Sequence, residues 1–163
     1  MKRRVVSCLL SIALVNSICL AEDITWTVAD KESEGCKLIT PKISMDDSQG
    51  ETKIWLELAK QQLLIKTESE LDNAYNDLAI QVDDKESIKS SEIVDKKNLV
   101  FKESIKEIIP EFIEGRKVVV NLRFWPTWPS VGIKTISFSL IGFTKAYNEL
   151  NSCKKDEAVT KPQ

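Results

Sequence analysis

The most distinctive chemistry in the sequence lies in one short stretch, Arg123-Phe124-Trp125-Pro126-Thr127-Trp128-Pro129. Two tryptophans and two prolines beside an arginine make a stiff loop, because each proline fixes its own φ and restricts the residue before it. A stiff loop carrying Trp125 and Trp128 can present a flat aromatic patch, with Arg123 beside it, to a protein partner or a sugar ring. The same tryptophans can instead fold back over a core edge and shield it.

Carboxylates are the next candidates. Asp46-Asp47, Asp83-Asp84 and Glu68-Glu70-Asp72 are acidic clusters of a kind that can hold calcium or work as an acid–base pair. None has the spacing of a calcium loop. Adjacent acids on a strand point to opposite faces, so Asp83 and Asp84 share a site only where a turn bends them together. They read as solvated turn residues. The chain has no histidine, which removes the commonest general base, the usual nucleophilic triads and most zinc sites. It has five glycines and no glycine-rich phosphate loop. The reading assigns no catalytic residue, no metal ligand and no cofactor.

The ends set the compartment. Met1-Lys2-Arg3-Arg4 is basic, Val5 to Leu14 is apolar, and Ala21 is a small residue at a plausible cut site. Residues 1–21 therefore read as a cleavable secretory signal, with Ser17 a second possible cut site. The apolar part is interrupted by serines and is shorter than the roughly 20 residues a membrane span needs. An uncleaved anchor and a lipid-modified Cys19 are the alternatives, the second disfavoured by bulky Ile18 before it. No later apolar run reaches spanning length.

Loss of Lys2, Arg3 and Arg4 takes the formal charge from −2 to about −5. A mildly acidic domain has no reason to seek nucleic acid or anionic lipid. Residues 22–163 suit one domain with one core, closed by a polar tail from about 154. Cys36 and Cys153 survive cleavage, an even pair in an oxidising setting, and the expectation is a bond between them. Two free thiols, or a bond between two copies, are the alternatives.

The elements follow from periodicity. Ile24 to Val28, Lys53 to Leu58, Leu78 to Val82 and Lys117 to Trp125 alternate as strands do. Cys36 to Ile43 reads as a strand weakened by Pro41. Gln61 to Thr67 is the hairpin partner of Lys53 to Leu58, although a helix over 54–64 competes. Asn98 to Phe101 and Lys134 to Leu140 are further strands, and Ser87 to Asp95 reads as a polar stretch. Ile105, Ile108, Ile109, Phe112 and Ile113 form a helix stripe. A capping box joins Ser104 and Glu107, Gly115 ends the helix, and Pro110 kinks it or divides it into two turns. A last helix runs from about Phe143 to Asn151. The fold class is mainly β: an antiparallel β-sandwich or curled sheet with two short helices, one before the last hairpin and one at the C-terminus.

From Leu78 onward the sequence resembles the invasion-associated locus B family of small secreted bacterial proteins. The likeness rests on Leu78-Ala79-Ile80-Gln81-Val82-Asp83-Asp84, on Gly115-Arg116-Lys117 closing an apolar helix, and on the run from Val118 to Pro126. It continues in Ser139-Leu140-Ile141-Gly142-Phe143 and then Ala146. It covers about half of the mature chain. The N-terminal half matches only by the position of Trp26 and Cys36, and Ser87 to Lys97 is more charged than the family pattern. The resemblance implies a β-rich periplasmic or cell-envelope protein, carries no catalytic residues, and takes its name from a link with host-cell invasion.

Three functions are compatible with these features. The first is a non-enzymatic periplasmic or secreted bacterial protein that binds or supports a protein or another envelope component. The second is a secreted inhibitor of a foreign enzyme. The third is an acid-pair hydrolase of cell-wall sugar, which needs two carboxylates about 5–10 Å apart in a cleft.

Overall fold

The computed structural model describes residues 26–29, 35–59, 61–126 and 132–159, with 154–159 by backbone alone. The expected export signal at residues 1–21, residues 31–34, Lys60, Trp128 and the last residues of the tail lie outside the described residues. In chain order the elements are β1 (Thr27–Ala29), β2 (Lys37–Ile39), β3 (Ile43–Asp46), β4 (Glu51–Ala59), β5 (Gln62–Thr67) and β6 (Ala79–Val82). There follow β7 (Ile88–Lys89), β8 (Glu92–Val94), β9 (Asn98–Phe101), α1 (Ile105–Glu114), β10 (Lys117–Leu122), β11 (Lys134–Ser139) and α2 (Phe143–Val159).

The strands form two open antiparallel sheets, as the mainly-β reading expects. The larger runs β1-β2-β4-β5-β9-β8, with β3 also on β4, and the smaller runs β11-β10-β6-β7. Period-two alternation decides the helix-or-hairpin question at 54–64. Ile54, Leu56 and Leu58 of β4 and Leu63 and Ile65 of β5 are all buried, and Leu58 lies opposite Leu63 in the hairpin. Such alternation puts every apolar side chain on one face of a strand and would scatter them around a helix. A charged group fixes the neighbours: Glu57 of β4 takes Lys37 of β2 at 3.0 Å and Lys66 of β5 at 3.5 Å.

Pro41 does more than weaken one strand; it divides it into β2 and β3. The hydroxyl of Thr40 mends the break. The Thr40 amide donates to the Leu56 carbonyl at 3.0 Å, and the Leu56 amide donates to Thr40 Oγ1 at 2.9 Å. A side-chain oxygen thus satisfies a buried amide that would otherwise cost about 1–3 kcal/mol.

The polar stretch 87–95 holds two short strands that the sequence reading missed. The Ser90 amide donates to Leu78 O at 3.1 Å beside the smaller sheet, and the Ser91 amide donates to Val100 O at 2.8 Å in the larger. The chain therefore changes sheet between adjacent residues. Ile88 is buried opposite Ile80, but two residues of strand are too few to show a period.

Helix α1 is continuous through Pro110, neither divided nor capped as expected. Ser104 makes no side-chain cap bond; its backbone carbonyl instead accepts from the Glu107 amide at 3.0 Å. The buried stripe is narrow: Ile108 and Phe112 are buried and Ile113 is 42 % exposed. Gly115 ends the helix in extended backbone, φ −77° and ψ 166°, so it is not there for a left-handed turn. It is there for space. A Cβ at 115 would lie 2.8 Å from the Glu111 carbonyl oxygen, 3.0 Å from Leu140 Cδ1, and closer still to Val82 Cγ1.

Helix α2 begins after Gly142, whose φ of 85° turns the chain. It continues past the expected end near Asn151 to Val159, so the polar tail from about 154 starts as helix. Phe143 is fully buried and meets Trp26 edge-on, centroids 5.0 Å apart, and Phe112 at 5.3 Å. Trp26 also donates from Nε1 to Ser139 O at 3.1 Å. The expected Cys36–Cys153 disulfide joins the start of β2 to α2 across a separation of 117 residues, with Cα atoms 6.4 Å apart.

Two substitutions test this packing by urea denaturation. Gly115→Ala should cost about 1–3 kcal/mol through overpacking. The double variant Cys36→Ser, Cys153→Ser should lower stability by about 2–5 kcal/mol, since a bond closing so long a loop restricts the unfolded chain strongly. A midpoint unchanged in either variant would contradict the corresponding contact.

Candidate functional site

Strand β10 delivers the aromatic loop. Val118, Val120, Leu122 and Phe124 share the buried face, as expected, which leaves Arg123 and Trp125 on the other face. The ladder with β11 ends at Leu122, and a second partner takes over. The Asp72 amide donates to Arg123 O at 2.9 Å, and the Trp125 amide donates to Glu70 O at 2.8 Å. Leu71 and Phe124 form an isolated antiparallel bridge between them.

Arg123 is committed within the fold rather than presented to a partner. Its Nε donates to Asp77 Oδ1 and Oδ2 at 3.0 and 2.7 Å, and Nη2 lies 2.6 Å from Oδ2. The Asp77 hydrogen bonds push its pKa further up. Its guanidinium also covers Tyr75, 4.4 Å from the ring centroid. This fork ties loop 72–77 to the strand end and leaves Tyr75 56 % exposed.

Trp125 faces solvent. It is 58 % exposed, although both of its backbone groups are held. Its amide goes to Glu70, and its carbonyl accepts from Gln49 Nε2 at 2.8 Å. Gln49 is itself positioned by Asp47, whose Oδ1 accepts from the Gln49 and Gly50 amides at 2.8 Å each. Asp47 Oδ2 takes the Ser69 hydroxyl. Beside the indole lies an open depression of about 480 Å³, bordered by Gln49, Glu68, Ser69, Glu70, Lys97 and Pro126.

The acids divide by place. Asp47, Glu68 and Glu70 come together around this depression. Glu68 pairs with Lys42 at 3.2 Å and Glu70 with Lys96 at 3.4 Å. Asp46 leans away to Lys134 at 2.8 Å, and Asp72 accepts from the Ala74 amide at 2.9 Å. Asp83 belongs to the opposite end of β10. It sits in a turn with φ 48° and accepts from the Arg116 and Lys117 amides at 3.0 and 3.1 Å. Among the described residues, no group of three or more acids or cysteines is placed to hold a metal ion. No described helix is long and apolar enough to cross a membrane.

Electrostatics keep the shared carboxyl ionised. Burial opposes charge on Asp47, but the Ser69 hydroxyl and the Gln49 and Gly50 amides outweigh it, so its pKa lies below the ordinary 3.8. The Arg116 amide leads the groups that hold Asp83 below the same value. A general acid needs the opposite shift, towards neutral pH.

Of the residues singled out from the sequence, Arg123 and Trp125 stand on one face with different duties. Gln49 and Tyr75 carried no sequence signal, since both come from polar turns brought in by other strands. No protein family, no curated protein and no solved structure matches this chain.

A depressed folded pKa stabilises above the unfolded value and loses that contribution as pH falls through the folded one. Asp47 and Asp83 should therefore lower the urea midpoint as pH drops below about 4. Asp83→Asn should lower the midpoint at neutral pH and flatten this acid limb. An acid limb left unchanged by both Asp47→Asn and Asp83→Asn would assign it to other carboxyls.

Proposed function

We propose that this chain is an exported, non-catalytic binding protein of the bacterial cell envelope, which captures an envelope component on the face that carries Trp125. One observation carries the reading: a large aromatic side chain stands 58 % exposed on a backbone gripped from both sides. Holding the backbone that carries the ring lowers the ordering entropy of binding, and tryptophan is over-represented among the residues that dominate binding.

Export is supported by the basic and apolar opening of residues 1–21 and by the Cys36–Cys153 bond, since disulfides persist outside reducing compartments. The resemblance to the invasion-associated locus B family points to the same compartment and to a link with host interaction. The non-catalytic part draws on the absence of histidine from the sequence and on the shift of Asp47 away from an acid's working range.

The test compares wild type with Trp125→Ala, both as the mature disulfide-bonded domain, for capture from an envelope extract of the native cell. The variant should keep its unfolding free energy to within about 0.5 kcal/mol, as exposed substitutions do, and lose the captured component at least tenfold. Equal capture by a folded Trp125→Ala would overturn the binding face. Recovery of the uncleaved precursor from the cytosol, with both cysteines open to alkylation, would overturn export.

A further inference from the structure

Resting on that binding role, we infer that the depression beside Trp125 is a saccharide subsite, so the captured envelope component is a glycan. A pyranose ring has an apolar C–H face and an edge of hydroxyls. It therefore asks for an aromatic plane flanked by polar side chains that both donate and accept. The indole of Trp125 is the plane. Gln49, Glu68, Glu70 and Lys97 border the same depression of about 480 Å³, and they supply amide, carboxylate and ammonium groups.

Charge separates this ligand from its rivals. A phosphate or polyanion needs uncompensated cations, and a basic peptide needs uncompensated acids. Here the charges balance: the carboxylates of Asp47, Glu68 and Glu70 stand against the ammonium groups of Lys42, Lys96 and Lys97, with Lys42 3.2 Å from Glu68 and Lys96 3.4 Å from Glu70. Glu68 and Glu70 remain half exposed, at 51 % and 43 %, so their outer lone pairs can accept hydroxyls while their charge is offset. A rim of both signs around an aromatic plane suits a neutral polyol.

The backbone beneath the platform is also held before binding. Asp47 holds the Gln49 turn, Gln49 holds the Trp125 carbonyl, and Glu70 O holds the Trp125 amide. Glu70 thus supports the indole through its backbone and borders the depression with its side chain.

The experiment titrates two neutral oligosaccharides, a trimer of N-acetylglucosamine and maltotriose, into the mature protein, and follows the indole N–H resonances by NMR. At least one should shift the Trp125 indole saturably. Trp125→Ala should abolish binding of that sugar to the remaining protein, Glu70→Gln should weaken it several-fold without moving the urea midpoint, and added salt should change it little. Inorganic phosphate and a lysine-rich peptide should give no saturable shift. Failure of both sugars, and of a digest of envelope glycans, would sink the saccharide assignment. If capture from envelope extract still depended on Trp125, the binding role would stand with a protein as ligand; if it did not, both readings would fall. Tighter binding of phosphate or the cationic peptide than of either sugar would also overturn the assignment.

Discussion

The contact of Phe143 with Trp26 and Phe112 is the constraint from which the rest of the molecule follows. Two open sheets cannot close on each other without something filling the gap at their shared end. Phe143 fills it from the first turn of α2, Phe112 from α1, and Trp26 from the chain just before β1. Edge-to-face rings are worth about 0.5–1.5 kcal/mol beyond the area they bury. The Trp26 indole adds a hydrogen bond to Ser139 O, so the first strand of one sheet is joined to the last strand of the other. The disulfide adds a covalent tie between the larger sheet and the last helix, from Cys36 before β2 to Cys153 in α2. Early segments of the chain are thus tied to late ones by the aromatic contact, the Trp26 hydrogen bond and the disulfide, which together hold the layers.

With the layers fixed, β10 becomes a lever between two ends of the molecule. At one end, Gly115 lets α1 stop against Val82 and Leu140, and Asp83 clamps the amides of Arg116 and Lys117. At the other, the strand runs out of its β11 partner and picks up Glu70–Asp72 instead. The change of partner lets Trp125 stand clear of the sheet while keeping its backbone bonds. Arg123 does the holding. Its planar fork matches Asp77, and its face covers Tyr75, a combination that lysine could not reproduce.

How much of this was readable in advance depended on whether a single segment carried the information. Lys117 to Leu122 and its β11 partner alternate cleanly, and the buried face is the one their pattern names. The long β4–β5 hairpin was legible only alongside a competing helix over 54–64, because its connection carries no turn glycine. At two places where the reading failed, the deciding partner lay elsewhere in the chain. Thr40 mends the ladder at Pro41 only because Leu56 is opposite it. Ile88 is buried only because Ile80 pairs with it. Ser104 and Glu107 have the right spacing for a capping box, yet a backbone bond takes its place. Gly115 ends α1 as expected, for the different reason that Val82 and Leu140 leave no room. Trp125 stood out by composition, whereas Gln49 and Tyr75 became visible only when three separate loops met.

That meeting of loops also explains why an exposed tryptophan is tolerated here. A large aromatic on a mobile loop would gain little from staying out of the core, because it could swing back at small cost. Trp125 has no such freedom: its amide, its carbonyl and the buried Phe124 before it are all engaged. The residues that hold it are themselves held, Gln49 by Asp47 and the Glu70 segment by the Leu71–Phe124 bridge. Hydrogen bonds spent in this way contribute to the fold whether or not a ligand is present. The indole that they leave facing water is the part of the arrangement that folding alone does not require, and its burial is what a ligand would add.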